Sequence, residues 1–431
     1  MFTKVLVANR GEIAVRVIRT LRKMGIASVA VWSDADRFST AVRLADEAVR
    51  LGPAPAAQSY LNVDAVIAAC QETGAQAVHP GYGFLSENVG FAERLADAGI
   101  TFIGPSPDHL RDFGMKHTAR ALAQAAGVPL LPGSDLLETV EDAVQEATRI
   151  GYPVMLKSTA GGGGIGMQLC ADEAALGAAF ESVGRTATAS FGDARVFLER
   201  FVADARHVEV QVFGDGAGRV IALGERDCSL QRRNQKVVEE TPAPLLPDTV
   251  RRALHEAATA LCASVSYASA GTVEFIYDPV REAFYFLEVN TRLQVEHPVT
   301  EAVFDIDLVE WMIRQAAGEV ALPDAPVVPK GAAIEVRVYA EVPHAGFRPA
   351  SGRLTHVDFP DTARIDTWVE TGTDVSPFYD PMLAKIIVKG ADRDAAIAAL
   401  KDALAATKLT GIETNLDYLR AIAASDILAS G

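Results

Sequence analysis

The sequence has few cysteines and no long apolar run. Its 431 residues include four cysteines, Cys70, Cys170, Cys228 and Cys262, and no two of them form a C-x-x-C pair. This spacing suggests neither a disulfide framework nor a zinc site. No stretch of about 18 apolar residues occurs, and the apolar run at the amino terminus is too short for a signal peptide. We therefore expect a reducing, cytoplasmic setting and no membrane partner.

Positive charge is also scarce. The chain has 40 Lys and Arg against 56 Asp and Glu, a formal net charge of −16. Nucleic-acid binding depends on neutralising phosphates with an excess of Lys and Arg, so this balance argues against a nucleic-acid partner. Any anionic ligand must be met by local basic groups. The apolar and charged fractions, 49% and 22%, are those of a globular protein with several domains.

The amino-terminal region lacks a dinucleotide motif. Residues 1 to about 115 alternate strand and helix patterns, beginning with a strand at 5–8, a helix at 13–24 and a strand at 28–32. This order predicts a parallel sheet. The turn at 9–12 contains one glycine and not the G-x-G-x-x-G that lets a backbone approach a pyrophosphate. We predict a Rossmann-like domain that binds no dinucleotide.

A loop rich in turn-forming residues, at 79–88, follows a short apolar strand in the same region. Ligands of open α/β sheets usually bind at strand ends, which makes this loop a candidate for binding. An ordinary Pro/Gly turn, with Tyr82 and Phe84 packing locally, explains it equally well.

A glycine-rich loop at 158–167 follows a predicted strand that ends in Lys157. Glycine occupies positions 161–164 and 166. Glycine exposes backbone N–H groups and tolerates positive φ, so such a loop can fold over phosphates. It is not a Walker A loop, because no Gly-Lys-Ser/Thr ends it. A flexible linker is the alternative, but linkers are usually longer and polar.

Polar and apolar residues alternate regularly within 288–301. In an extended chain the polar residues fall on one face, at positions 288, 290, 292, 294 and 296. A second strand pattern at 271–277 can pair with it as a hairpin, bringing together Glu274, Glu288 and Asn290. Magnesium prefers such oxygen ligands. A solvated sheet face is the alternative interpretation.

Four of the cations fall within 226–236, and such clusters are usually solvated faces. Neutralising a triphosphate is the competing explanation. A strand pattern at 196–202 offers Glu199 and backbone groups to a purine edge, which alone is weak evidence. A Pro-rich linker at 322–331 precedes an alternating strand carrying Glu335 and Arg337, followed by patterns typical of an antiparallel sheet.

Taken together, the motifs at 79–88, 158–167, 225–233, Glu274 and 288–301 resemble biotin carboxylase, a family of the ATP-grasp superfamily. The likeness covers essentially the whole chain. It implies a mixed α/β and α+β fold with three parts: a Rossmann-like amino-terminal domain, an ATP-grasp core with a glycine-rich lid at about 132–203, and a mixed α+β carboxy-terminal domain. The domain bounds that we predict are 1–114, 115–325 and 330–431.

The reaction implied by the resemblance has two steps. Bicarbonate attacks the γ-phosphate of ATP, with Mg²⁺ or Mn²⁺ bound, to give carboxyphosphate. Carboxyphosphate collapses to carbon dioxide and phosphate, and biotin on a carrier is carboxylated at its ureido nitrogen. The implied enzyme is an ATP-dependent ligase that forms a C–N bond.

The resemblance also implies roles for individual residues. The positions that match ATP-binding residues are Lys116, Lys157, Gly161, Gly162, Gly163, Gly164, Gly166, Met167, Glu199, His207, Gln231 and Asn234. The positions that match metal ligands are Glu274, Glu288 and Asn290. The positions that match the bicarbonate and biotin sites are Arg292, Gln294, Val295, Tyr82 and Arg337. Glu296 matches the base that deprotonates bicarbonate, Lys236 a cation near the transferred phosphate, and Arg337 the group that stabilises the biotin enolate. The chemistry agrees, because a guanidinium such as that of Arg292 suits a planar, bidentate anion.

One departure from the family pattern is Asn234, where many biotin carboxylases have histidine; this puts any acid–base role there in doubt. Together with the motifs at 114–120, 347–352, 366–369 and 379–385, Asn234 makes the chain most similar to the biotin carboxylase part of urea or guanidine carboxylases. The implied partners are a biotin carboxyl carrier, a carboxyltransferase and a second copy in a homodimer. No Ala-Met-Lys-Met biotinylation motif occurs before Gly431. We expect the carrier and transferase to be separate polypeptides, or the chain to be an excised domain.

Alternative functions remain open at this point. The chain can instead serve an acetyl-CoA, acyl-CoA or pyruvate carboxylase. Another ATP-grasp ligase is a second enzymatic alternative, although carbamoyl phosphate synthases carry two copies of the core. A non-catalytic nucleotide-binding subunit would be favoured by the loss of a catalytic position, and none is lost.

Overall fold

In the computed structural model, residues 1–158, 166–191, 195–319, 322–323 and 327–431 are described. Within these residues no helix has the length and apolar character that a membrane span requires. The mixed fold predicted from the sequence is confirmed: a parallel amino-terminal sheet precedes a large antiparallel sheet, which continues into the carboxy-terminal region.

The amino-terminal region is an open sheet of five parallel strands. Its strands are β1 Lys4–Val7, β2 Ala27–Ser33, β3 Glu47–Gly52, β4 Ala77–His79 and β5 Thr101–Phe102. Its helices are α1 Gly11–Lys23, α2 Thr40–Leu44, α3 Val63–Thr73, α4 Val89–Asp97 and α5 Pro107–Gly114. The strand order is β3-β2-β1-β4-β5, so the direction of winding reverses between β1 and β4. Ligands of such sheets bind at this reversal, and the loops after β1 and β4 both open there.

Helix α1 follows β1 for reasons that are visible in the sequence. Its apolar residues recur at helical spacing, and its buried face includes Ile13, Val17 and Leu21. Gly25, with φ +71°, ends the helix before β2. The predicted helix and its flanking strands are confirmed.

The middle region contributes two sheets. Its helices are α6 Lys116–Ala125, α7 Val140–Ile150, α8 Glu173–Phe191, α9 Asp248–Ser264, α10 His297–Phe304 and α11 Leu308–Ala316. Its strands are β6 Val154–Ser158, β7 Met167–Cys170, β8 Val196–Arg200, β9 Arg206–Asp215, β10 Val220–Arg232, β11 Gln235–Thr241, β12 Ala268–Asp278 and β13 Ala283–Asn290. Strands β7-β6-β8 form a small antiparallel sheet, which packs on α7 and α8. This small sheet falls within the predicted lid.

The carboxy-terminal region extends the larger sheet. Its strands are β14 Ala332–Tyr339, β15 Glu341–Val342, β16 Arg348–Pro349, β17 Gly352–Arg353, β18 His356–Asp358, β19 Arg364–Thr367, β20 Asp374–Val375, β21 Met382–Gly390 and β22 Lys408–Thr410. Its helices are α12 Arg393–Ala406, α13 Leu416–Ala424 and α14 Asp426–Ser430. The eight-stranded order is β13-β12-β9-β10-β11-β14-β21-β19. Because β11 pairs with β14, one sheet continues across the predicted linker.

The hairpin that the sequence predicted around residues 274 and 288 is present. Strands β12 and β13 are antiparallel, and Glu274 pairs directly with Glu288. The extended arrangement of 288–296 holds only as far as Asn290, where β13 ends. Residues 291–296 form an irregular segment, and α10 begins at His297. Proline at the second position of α10 favours this helix start, because its missing N–H has no intrahelical partner there.

Candidate active site

A cleft of about 410 Å³ lies between the small sheet and the eight-stranded sheet. It is lined by most of the site residues predicted from the sequence, namely Lys116, Lys157, Met167, Glu199, His207, Gln231, Asn234, Lys236, Glu274, Glu288, Asn290, Arg292, Gln294, Val295, Glu296 and Arg337. Tyr82 lines an adjoining cavity of about 510 Å³, which shares Arg292, Val295 and Arg337 with the cleft.

The glycine loop is only partly described. Gly161, Gly162, Gly163 and Gly164 lie outside the described residues. Gly166 is buried, with φ +75°, and a Cβ there would collide with the Ser158 side chain. Ser158 N–H donates to the Gly166 carbonyl at 2.9 Å. Glycine is therefore required where the chain enters β7 beside the cleft.

Lys236 is the central cation of the cleft. Its Nζ lies 2.5 Å from a Glu209 oxygen, 2.9 Å from Glu274 and 2.7 Å from Glu296. Burial lowers the pKa of Lys236, but the three carboxylates outweigh it and raise the pKa well above its usual value. Lys236 therefore stays protonated and joins three strands and the 291–296 segment at one point.

Glu274 accepts hydrogen bonds from three groups and lies next to a fourth, the imidazole of His207. Its Oε1 accepts from Lys236, from Asn290 Nδ2 at 2.8 Å and from Gln294 Nε2 at 3.1 Å. Its Oε2 lies 2.8 Å from His207 Nε2. Burial raises the pKa of Glu274, but Lys236 and His207 outweigh that effect and hold the pKa below its usual range. Glu274 is thus an ionised anion in the wall of the cleft.

The donor set beside Glu274 fits a divalent cation. Glu288 faces Glu274 across the hairpin, and burial together with the Glu274 charge raises the pKa of Glu288. A raised pKa at one of two facing carboxylates indicates that positive charge is short there, and Mg²⁺ supplies such charge. Asn290 Nδ2 donates to Glu274, and Asn290 Oδ1 accepts from Arg292 NH2 at 3.0 Å. The Asn290 oxygen can act as a metal ligand beside the two carboxylates only after its side-chain amide flips.

Arg292 spans the irregular segment. Its NH1 donates to Gln294 Oε1 at 2.9 Å, and its Nε donates to Glu87 Oε2 at 2.9 Å. Glu87 belongs to the 79–88 loop and also accepts from the Thr291 N–H at 3.2 Å. The loop for which sequence left two interpretations therefore holds the 291–296 segment in place. Its Phe84 packs against Tyr60 at a ring distance of 5.1 Å, so it also packs locally.

Glu296 lies between two cations. Arg337 NH2 is 3.0 Å from Glu296 Oε2 and 2.6 Å from Glu239 Oε1. Burial raises the pKa of Glu296, but Lys236, Arg337 and Arg226 outweigh it, so its pKa lies well below the usual value. Burial raises the pKa of Glu239 to about 7, despite the opposing effect of Arg337. Glu296 is therefore the ionised acceptor of the pair near neutral pH.

At the opposite end of the cleft, Lys157 and Arg120 both bond the carboxylate of Glu199. The Glu199 carboxylate is thus paired with two cations of the protein, and its strand β8 runs along the cleft. Burial lowers the pKa of Lys116, with Glu288 opposing the shift. These basic groups give the acidic chain a local positive region, as an anionic ligand requires.

The cation cluster at 226–236 is only partly a solvated face: Arg233 is exposed, but Arg226 and Arg232 are buried. Arg226 is fully buried, and its Nε donates to Glu209 Oε1 at 2.7 Å. The cluster forms the β10–β11 hairpin, with Arg233 and Asn234 as the two turn residues. Their φ angles are +50° and +62°, as a type I′ turn requires. Asparagine tolerates this left-handed conformation better than most residues, so Asn234 has a backbone reason to be there.

Sequence reasoning missed several residues of the site. Glu209 and Glu239 are buried, and they contact Lys236 and Arg337, respectively. Glu209 lies between Val208 and Val210, and Glu239 follows Val237 and Val238. A charged residue within or directly after such an apolar run is the signal that could have identified them. Lys385 is a further example, because it is completely buried within the apolar run of β21.

The cleft combines a basic end, paired buried carboxylates and a cation-held carboxylate that can accept a proton. This arrangement defines an ATP-grasp type of site, suited to phosphoryl transfer onto a small anion. Three family models match in order along the chain. They are "Biotin carboxylase, N-terminal domain" at residues 1–110, "Carbamoyl-phosphate synthase L chain, ATP binding domain" at 115–323 and "Biotin carboxylase C-terminal domain" at 335–431.

Comparison with individual proteins agrees. The biotin carboxylase structure from Campylobacter jejuni, in complex with β-γ-ATP, is 41% identical with TM-score 0.97, covering 100% of this chain and 97% of that one. The biotin carboxylase domain of Hydrogenobacter thermophilus 2-oxoglutarate carboxylase, a dimer with MgADP and bicarbonate, is 40% identical with TM-score 0.95, covering 100% and 96%. The chain belongs to the biotin carboxylase family, a family of ATP-dependent ligases.

A longer relative is also similar. Urea amidolyase of Saccharomyces cerevisiae is 58% identical over 430 residues, which is 100% of this chain and 23% of that protein. The chain thus spans about a quarter of the length of this relative. The family resemblance, the fold and the enzyme class expected from the sequence are confirmed.

Proposed function

We propose that this chain is the biotin carboxylase component of a biotin-dependent carboxylase of the urea or guanidine type. It uses MgATP and bicarbonate to form carboxyphosphate, and it carboxylates biotin that a carrier presents. The observation that carries this proposal is the contact of Glu296 with both Lys236 and Arg337, at 2.7 and 3.0 Å. One proton acceptor thereby lies between a cation suited to phosphate and a cation suited to a second substrate.

The nucleotide occupies the cleft. Its phosphates lie near Gly166, Lys116 and Lys157, and its purine lies along Met167 and Glu199. Further nucleotide contacts come from the polar residues on the floor of the cleft, namely His207, Gln231 and Asn234. Mg²⁺ would be held by Glu274, Glu288 and Asn290, and it would neutralise charge on the phosphates.

Bicarbonate binds in the 291–296 segment. Arg292 and Gln294 lie side by side, and together with the Val295 N–H they offer donors to the three oxygens of the anion. Glu296 lies next to these donors, between Lys236 and Arg337, and is the group that takes the bicarbonate proton. The deprotonated anion then attacks the γ-phosphate, with Lys236 beside the transferred group.

Biotin enters from the adjoining cavity. This cavity is lined by Tyr82 and shares Arg337 with the cleft, so a ureido ring within it lies next to the place where carboxyphosphate forms and releases carbon dioxide. The pKa of Arg337 is lowered by burial but raised well above its usual value by Glu239 and neighbouring groups, so Arg337 keeps its charge. That charge stabilises the enolate form of biotin.

The proposal extends to partners and setting. The division into domains at 1–114, 115–325 and 330–431 follows the end of the alternating strand and helix pattern at about residue 115 and the predicted linker at 322–331. A biotin carrier and a carboxyltransferase complete the reaction, and the chain pairs with a second copy, as in the dimeric Hydrogenobacter thermophilus domain. The cytoplasm is the proposed compartment. The similarity to urea amidolyase supports the urea-type assignment.

The test is ADP release from MgATP in four mixtures, with and without bicarbonate, each with and without free biotin. We expect hydrolysis that requires bicarbonate and rises with biotin. Lys401 is an exposed lysine of α12 and does not line the cleft. The Lys401→Met variant is the control and should behave as the wild type. ADP release that ignores both compounds would refute the proposal and favour another ATP-grasp substrate or a non-catalytic subunit. Supplying the carboxybiotin product to a urea carboxyltransferase and to an acyl-CoA carboxyltransferase then distinguishes a urea-type from an acyl-CoA-type carboxylase.

A further inference from the structure

The 291–296 segment lies outside every strand and helix, yet it carries the groups assigned to bicarbonate. It begins where β13 ends at Asn290 and stops where α10 begins at His297. No sheet ladder therefore fixes its backbone. Something else must hold the peptide between Val295 and Glu296 in one orientation.

The start of α10 cannot supply that support. Position 298 is proline, which has no N–H to donate to the Val295 carbonyl three residues earlier. The N–H of Val299 goes to the Glu296 carbonyl at 3.4 Å. A buried carbonyl left without a donor is costly, so the Val295 oxygen must find a donor elsewhere in the fold.

That donor is Lys385 of β21. Its Nζ donates to the Val295 carbonyl at 2.8 Å, and the side chain is fully buried. The same Nζ lies 3.5 Å from Glu12 Oε1 at the start of α1 and 3.9 Å from Asp366 Oδ2 on β19. One ammonium group thus joins the amino-terminal helix, the irregular segment and the carboxy-terminal strands.

The register of the sheet gives Lys385 a neighbour with a related task. Lys385 pairs directly with Arg337 across β14 and β21, so both side chains stand on the same face. Arg337 bonds the Glu296 carboxylate, while Lys385 bonds the Val295 carbonyl. Two adjacent cations of one sheet row therefore hold two successive residues of the segment.

We propose that Lys385 is a positioning residue for bicarbonate activation: through the Val295 carbonyl it fixes the peptide that joins the Val295 amide to the Glu296 base. This inference rests on the proposed roles of Val295 and Glu296. In the described part of the chain the Lys385 ammonium contacts the Val295 carbonyl, Glu12 and Asp366 and lies 5.9 Å from the centre of the Tyr82 ring, and none of these four residues is among those assigned to ATP or the metal. Its loss should affect the use of bicarbonate and leave nucleotide binding largely intact.

The variants are chosen to separate positioning from folding. Lys385→Met removes the ammonium but leaves Glu12 buried beside it. Burial raises the pKa of Glu12 to about 7 even with Lys385 present, so Glu12 can become neutral by taking a proton. The double variant Lys385→Met/Glu12→Gln removes that charge outright. Asp366 keeps Arg364 as its partner at 2.9 Å in both variants.

The same strand offers a matched control. Lys389 also lies on β21, four residues on, and its Nζ donates to a backbone carbonyl, that of Ala302, at 2.7 Å. It is exposed and bonds the helix away from the cleft. Lys389→Met therefore removes the same type of bond from the same strand without touching the 291–296 segment.

The experiment is steady-state ADP release as bicarbonate or ATP is varied, for the wild type and the three variants, with thermal unfolding as the measure of folding. In the double variant we expect the KM for bicarbonate to rise about ten-fold or more while the KM for ATP changes less than about two-fold. Lys389→Met should match the wild type. A folded double variant with the wild-type KM for bicarbonate would overturn the inference, as would an equal rise in Lys389→Met. A wild type whose ADP release does not depend on bicarbonate would instead refute the proposed function.

Discussion

Replacing Lys236 by methionine tests the charge balance of the cleft most directly. Methionine keeps an unbranched chain of similar length and removes the ammonium that three carboxylates share. The side chains of Glu209, Glu274 and Glu296 are 0%, 5% and 1% exposed, so water cannot replace the lost charge. The variant should therefore leave buried anions without compensation.

The expected loss of stability follows from that burial. Removing one partner of a buried ion pair typically costs about 3–5 kcal/mol. In the wild type, Lys236 helps to hold the pKa values of Glu274 and Glu296 below their usual range. Their contribution to stability is thus present above the pKa of an unfolded glutamate, about 4.3, and is lost as the pH falls below it.

In Lys236→Met, the change of the free energy of unfolding with pH should have the opposite sign near neutral pH. Burial, now less opposed, raises the pKa values of the carboxylates, so the folded variant takes up protons that the unfolded chain does not. Its stability should therefore rise as the pH falls from about 8 to about 6. The deficit relative to the wild type should be largest at the higher pH.

The assay is urea unfolding followed by circular dichroism at both pH values, with Lys401→Met as the exposed lysine control. Bicarbonate-dependent ADP release, measured in parallel, should fall by about 10²–10³ because a preorganised charge at the transferred phosphate is gone. The reasoning would be refuted if Lys236→Met lost no more stability than the control, or lost the same amount at both pH values.

Three further predictions concern other parts of the site. Arg337→Ala should abolish the stimulation of ADP release by biotin while sparing part of the bicarbonate-dependent hydrolysis; carboxybiotin formation that survives the change would contradict its role. Glu288→Gln should raise the Mg²⁺ concentration needed for half-maximal ADP release, because one of two facing carboxylates is lost; an unchanged Mg²⁺ dependence would remove Glu288 from the metal site. Asn234→Val should lower the free energy of unfolding by about 1–2 kcal/mol, since a β-branched residue is strained at φ +62°. Asn234→Gly should be nearly neutral in the same unfolding experiment, and equal losses in the two variants would show that backbone strain is not the cause.

Local patterns determined much of what the sequence could predict. Helix α1 and the β12–β13 hairpin follow from spacing of apolar residues and from turn residues within a short stretch of chain. The pairing of Glu274 with Glu288 needs only the hairpin register, so the sequence predicted it. The family resemblance rested on motifs that are likewise local, so the sequence alone could identify them. Because these motifs occur in order along the chain, the resemblance extends over essentially all of it.

Tertiary structure decided which charges are buried and what each one meets. The partners of Lys236 lie 27, 38 and 60 residues away along the chain, on elements whose packing no local pattern encodes. The sequence of the cation cluster at 226–236 fits either a solvated or a buried position. The position of β10 and β11 inside the eight-stranded sheet decides which of its side chains are buried. Lys385 meets Val295 across 90 residues, because strand pairing and packing bring β21 beneath the 291–296 segment. The sequence determines which chemical groups are present. The order and packing of strands that are distant along the chain determine how close these groups lie and how buried they are, and therefore which of them are charged.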